Sequence, residues 1–112
     1  MSEASRLAQA QLDAYNAHDI DAFVSCYHPQ VQIYDLHSGA LTMQGHAAMR
    51  ERYGKMFQTK PELHATLVNR IVVNNTAVDH ERVVGLVDGT LVEVIATYQV
   101  EDGVILRVWF AK

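Results

Sequence analysis

From Glu62 to the end of the chain, apolar and polar residues alternate with a period of two, the repeat of a strand whose successive side chains point to opposite faces. Three breaks, Asn74-Asn75, Asp88-Gly89 and Asp102-Gly103, use the residue types that reverse a chain at least cost. The pattern predicts four consecutive strands, about 62–73, 76–87, 91–101 and 104–111, joined as antiparallel hairpins. A meander of this kind needs a cover for its apolar face. Its valine content suggests that both faces are covered, the second by another copy of the chain in a homodimer.

The first cover comes from the other half of the sequence. Residues 3–17 place Leu7, Ala8, Gln11, Leu12 and Tyr15 at helical spacings of three and four, with Ser2 and Ser5 as starting caps. Asp19 caps a second helix, IDAFVSCY, which buries Ile20, Phe23, Val24 and Tyr27 before Pro29 stops it. A third helix, HAAMRERYGKMFQT, opens after Gly45 and turns Met49, Tyr53, Met56 and Phe57 inward. Between the second and third helices lie a strand, VQIYDL, a turn at His37-Ser38-Gly39 and a short return strand, Ala40 to Gln44. The expectation is one α+β domain over residues 1–112, with three helices on one face of a curved sheet.

Composition narrows the function. The chain has 112 residues, 49% of them apolar, and a net charge of −4, which suits one soluble globular unit. Its nine lysines and arginines are scattered, so no nucleic-acid partner is expected. The polar, helix-like start lacks a signal core and no window spans a membrane, so the expected location is the cytoplasm. Cys26, the sole cysteine, lies in a helical apolar pattern and reads as a small core residue. His18, His28, His46 and His64 lack metal-ligand spacing and the glycines form no phosphate loop, so no metal or nucleotide is expected.

One carboxylate stands out. Val31, Ile33 and Asp35 share a strand face, so Asp35 points where two apolar side chains point. Either it is a functional group with a shifted pKa or a charged partner, or it accepts turn hydrogen bonds from the His37-Ser38-Gly39 backbone. His37 shares that face if the strand continues, and stands as a partner at a pocket mouth or as a solvated side chain.

The stretches YNAHDIDAFVSCYHPQVQIYD, GHAAMRERYGKMF and YQVEDGVILRVWF, in this order, resemble the nuclear transport factor 2-like superfamily, with its cone-shaped, cystatin-like fold. Ketosteroid isomerases, SnoaL-like polyketide cyclases and limonene-epoxide hydrolases share that fold, which also carries non-enzymes. The resemblance covers nearly the whole chain. It implies that Asp35 stands where ketosteroid isomerases keep their general base, that Tyr53 is a supporting tyrosine, and that Tyr27 and Tyr15 line a pocket. The two oxyanion-hole positions of those isomerases fall on Gln11 and Ala96, which do not supply the acidic donors. The hydrolase triad is also incomplete, because Glu81-Arg82-Val83-Val84 lacks one aspartate and Val108 replaces the other.

The resemblance further suggests that the even set of the second meander strand, including His80 and Arg82, looks into the cone; the alternative is a surface ladder with Glu93. Val92, Val94, Ala96, Tyr98, Leu106, Val108 and Phe110 are expected to form the apolar wall, with Arg107 and Trp109 facing away. The resulting expectation is a cofactor-independent isomerase- or cyclase-like enzyme that shifts a proton on a small hydrophobic carbonyl compound, using Asp35, His80, Arg82 and Tyr53. The alternative is a binding protein with the same pocket and no chemistry.

Overall fold

The computed structural model describes residues 2–112. Three helices, α1 (Glu3–Ala17), α2 (Ile20–Ser25) and α3 (His46–Thr59), pack on a six-stranded sheet. The strands are β1 (Tyr27–Asp35), β2 (Leu41–Gln44), β3 (His64–Val73), β4 (Thr76–Val87), β5 (Thr90–Glu101) and β6 (Val104–Ala111). Their order across the sheet is β2-β1-β6-β5-β4-β3. All neighbours are antiparallel except β1 and β6, which run parallel.

Local chemistry sets the helix ends. The Ser2 side chain accepts the Ser5 N–H, and Asp19 accepts the Ala22 N–H, so each helix start gains a partner for an otherwise orphan donor. His18 closes α1 in the left-handed region, φ 55°, stacks on Phe57 and lies 2.8 Å from the Leu63 carbonyl through Nε2. The second helix is shorter than expected: it ends at Ser25, and the chain is already strand at Tyr27, which pairs with Ile105. Pro29 falls in an irregular part of β1, between the Tyr27 and Gln32 pairings, where no ladder donor is required of it.

The core lies between the helices and one sheet face. Phe23, Val31, Met49, Ala77, Ala96, Tyr98, Ile105 and Val108 are almost completely enclosed. Each large apolar side chain buried in this way contributes about 1.5–3 kcal/mol. A bulge breaks the alternation in β6: Gln99 pairs with Arg107 but Val100 with Ile105, which leaves Leu106 extra. Ile105, rather than Leu106, therefore reaches the core beside Val108. A second irregularity bends β4 at Gly85, φ 79°, where an added Cβ would stand 2.4 Å from the Glu62 backbone. That contact brings the end of β4 under the start of β3, and Lys60 Nζ caps it by donating to the Leu86 carbonyl at 3.0 Å.

Candidate functional site

The helices do not fill the space above the sheet. A cavity of about 380 Å³ remains, bounded by α1, α3, β1 and the helix-facing side of β4 and β5. Most of its wall is aromatic or aliphatic: Tyr15, Phe23, Tyr27, Tyr53, Tyr98 and Phe110 with Leu12, Ile33, Val83 and Val94. Phe23 packs against Tyr53 at 4.7 Å and Tyr27 at 5.1 Å between ring centroids, so the aromatic wall is mutually braced.

Two carboxylates lie on the helix-facing side of β4, and one of them reaches this space. Asp79 and Glu81 lie two apart on the helix-facing side, at 0% and 6% exposure. Asp79 is fully engaged by Arg70 of β3, which donates Nε to Oδ1 at 2.7 Å and Nη2 to Oδ2 at 2.9 Å. The remaining Arg70 nitrogen, Nη1, donates to Gln9 of α1 at 3.0 Å. One guanidinium thus neutralises one carboxylate, and the second is left over. Glu81 lines the cavity, and its buried Oε2 has no hydrogen-bond partner among the described residues. Burial foremost, then the neighbouring Asp79 charge, pushes the Glu81 carboxyl up to about 7 despite the pull of Arg70. A group at that value is present in both protonation states near neutral pH, as a proton-transfer residue requires.

The tyrosines supply the complementary donors. Burial raises the phenols of Tyr27 and Tyr98 well above their ordinary value, and that of Tyr53 to about 12, so all three remain protonated at physiological pH. The Tyr27 hydroxyl donates to Gln11 Oε1 at 3.0 Å, while Gln11 Nε2 donates to the Ala8 carbonyl at 3.1 Å. Tyr53 and Tyr98 line the same cavity as Glu81.

Asp35, His37, Arg52 and Lys112 border the cavity at its solvent-exposed end. Asp35 shares the inward face with Val31 and Ile33, but it is the last residue of β1 and stands at the rim. Its Oδ2 accepts the Ser38 N–H at 2.8 Å, and the hydrogen bonds from Ser38 hold its carboxyl below the ordinary aspartate value. Asp35 is therefore an ionised turn acceptor at neutral pH, a weak base. Tyr15, Tyr27, Tyr53, Gln11, His37 and Phe110 also border the cavity, so these sequence-predicted positions come together with it.

His80 and Arg82 do not join them. Both lie on the opposite sheet face and share Glu93: Arg82 Nε donates to Oε1 at 2.7 Å, and His80 contacts Oε2. The inward placement of the even β4 set is corrected, and the surface ladder with Glu93 is what forms. Ala96 and Val108 face the helices but are sealed in the core outside the cavity wall. The inward residues of β4 are Ala77, Asp79, Glu81 and Val83. The signal for them was already in the Asp88-Gly89 hairpin: strands joined there pair odd positions of β4 with even positions of β5. Facing Val94 and Ala96 inward thus obliges Glu81 and Asp79 to do the same, since cross-strand partners share a face.

Among the described residues, no group of three or more His, Cys, Asp or Glu is gathered as ligands of a metal would be. Among the same described residues, no helix is long and apolar enough to cross a membrane.

A curved, mostly antiparallel sheet that closes with three helices around an aromatic cavity defines the nuclear transport factor 2-like, or cystatin-like, architecture. Within it the chain belongs to the SnoaL-like domain family, whose match spans residues 8–108. An uncharacterised cystatin-fold protein from Novosphingobium aromaticivorans superimposes with a TM-score of 0.87 at 26% identity, covering 100% of this chain and 99% of that one. A protein provisionally named a polyketide cyclase, from Sinorhizobium meliloti, has a TM-score of 0.80 at 20% identity, with 99% and 100% covered. A provisionally named ketosteroid isomerase from Kribbella flavida has a TM-score of 0.78 at 16% identity, with 96% and 76% covered. No curated protein matches the chain.

Proposed function

We propose that this protein catalyses proton transfer at carbon next to a carbonyl group, in a small and largely hydrophobic substrate, with Glu81 as the acid–base residue. The reading rests above all on one observation: a cavity-lining carboxylate buried without a hydrogen-bond partner for Oε2. An uncompensated carboxylate costs stability, so its retention in a cavity wall points to chemistry. Ionised Glu81 would remove the proton; the C–H electron pair would form the enolate double bond, and the carbonyl pair would move onto oxygen. Tyrosine hydroxyls of Tyr53 and Tyr98 would donate to that oxygen, and protonated Glu81 would return the proton to the same or a conjugated carbon. Asp35 and His37 bind at the rim in this scheme.

The test is deuterium exchange at the acidic methylene of tetralone in heavy water, followed by NMR. Glu81→Gln should slow enzyme-dependent exchange at least about 100-fold while tetralone binding persists. Undiminished exchange in that variant would refute the assignment. One observation favours a purely binding role instead: Gln11 and Ala96 occupy the positions where isomerase relatives carry their acidic donors, and such a binder would show no exchange in either form.

We also propose that two copies associate through the outer sheet face. Ile71, Val73, Val84 and Ile95 are exposed on that face, around the His80–Glu93–Arg82 ladder and with the stacked pair Tyr34 and Trp109, so apolar side chains and a charged cluster are both available to a second copy. Light scattering should give twice the 12.6 kDa chain mass, and Ile95→Glu should shift it to the monomer. A monomeric wild type at micromolar concentration contradicts the pairing.

A further inference from the structure

Which molecules the cavity accepts follows from the charges around it. Four fixed charges and one histidine line the space: Asp35, Glu81, Arg52, Lys112 and His37. Of the two carboxylates, Asp35 accepts from the Ser38 backbone at the rim, and Glu81 lies deep in the wall, away from the opening. Neither Arg52 nor Lys112 makes a salt bridge among the described residues, although Arg50, two positions away on α3, is paired with Asp21 at 2.5 Å. Both are exposed, so they mark the open end of a cavity whose depth is aromatic. Arg52 directly precedes the cavity-lining Tyr53, and its charge favours the ionised form of that phenol, which puts its field on the cavity side of the helix. In a chain of net charge −4, two cations without salt-bridge partners, set against the single Asp35 carboxylate at the same opening, leave more positive than negative side chains there.

We propose that the substrate is an acid: an apolar carbonyl compound whose anionic carboxylate is held at the mouth by Arg52 and Lys112 while its carbonyl end reaches Glu81. This substrate class rests on the proton-transfer reading of the same cavity. The arrangement gives the ligand one orientation. An anion would be repelled from the interior by Glu81 and drawn to the opening, and the apolar body follows the aromatic wall. A guanidinium also matches a carboxylate with two parallel donors, a geometry that a lysine alone lacks.

The test compares benzoylpropionate with its methyl ester, which keeps the ketone and removes the charge. Affinity is measured by calorimetry, and exchange beside the ketone by NMR. The acid should bind about tenfold more tightly than the ester, as one charge-assisted contact requires, and the preference should fall with added salt. It should vanish in the Arg52→Gln/Lys112→Gln double variant, whose exposed positions leave the core untouched. Equal affinities in the wild type, failure of the acid to bind, or a preference that survives in the double variant would overturn the proposal. The two readings separate cleanly: exchange without acid preference refutes only the substrate class, and acid preference without exchange refutes only the proton-transfer role.

Discussion

Among individual residues, Glu81 and Asp79 show how one arginine divides two neighbouring carboxylates. The bidentate contact from Arg70 leaves Asp79 satisfied, and the same geometry denies Glu81 a partner. The consequence for stability has a definite sign. Glu81 releases its proton near 4.5 in the unfolded chain and near 7 in the folded one, so between those values the folded state holds the extra proton. Stability therefore falls as pH rises across that window, and the cost is constant above it. Glu81→Gln carries no such cost and should exceed the wild type by on the order of 3 kcal/mol above neutrality, the gap closing towards acid pH. Chemical denaturation at several pH values measures it; a gap independent of pH contradicts the buried-acid description. Asp35 carries the opposite lesson. The alternation of Val31, Ile33 and Asp35 identified its face correctly, but alternation says nothing about how far a strand reaches, and the turn captured the carboxylate at the rim.

Elements were legible wherever the local signal agreed with the tertiary environment. The third helix, His46–Thr59, and the strands Thr76–Val87 and Val104–Ala111 occupy the positions that periodicity and turn residues indicated. Departures occur where a long-range contact prevails over local preference. Helical spacing through Tyr27 is overridden by pairing with Ile105, and the β6 bulge at Leu106 changes which apolar residues face the core without leaving a mark in the apolar pattern. The facing of β4 was a different kind of miss. Both of its alternating sets contain apolar and charged residues, so hydrophobicity alone is indifferent, and the decision belongs to the hairpin register with β5. Once the register is fixed, His80 and Arg82 go to the surface with Glu93 and the acidic pair goes in.

In the whole molecule, one sheet divides two environments. On its helix-covered side is the aromatic cavity with Glu81 in its wall and cations at its opening; on its outer side are exposed apolar residues and the His80–Glu93–Arg82 ladder, the face proposed above to meet a second copy. The family and architecture were readable because they depend on element order, which the chain displays almost without interruption. The acidic site was not visible in the alternation alone, because the inward side of β4 follows from its hairpin register with β5, and the split between Asp79 and Glu81 follows from a single arginine of the next strand. The proposed chemistry depends on the protonation of that one buried group. Difference infrared spectroscopy of the carboxyl band, wild type minus Glu81→Gln across a pH series, reports it directly: the account predicts a midpoint about 7, and a midpoint at the ordinary 4.5 would contradict it.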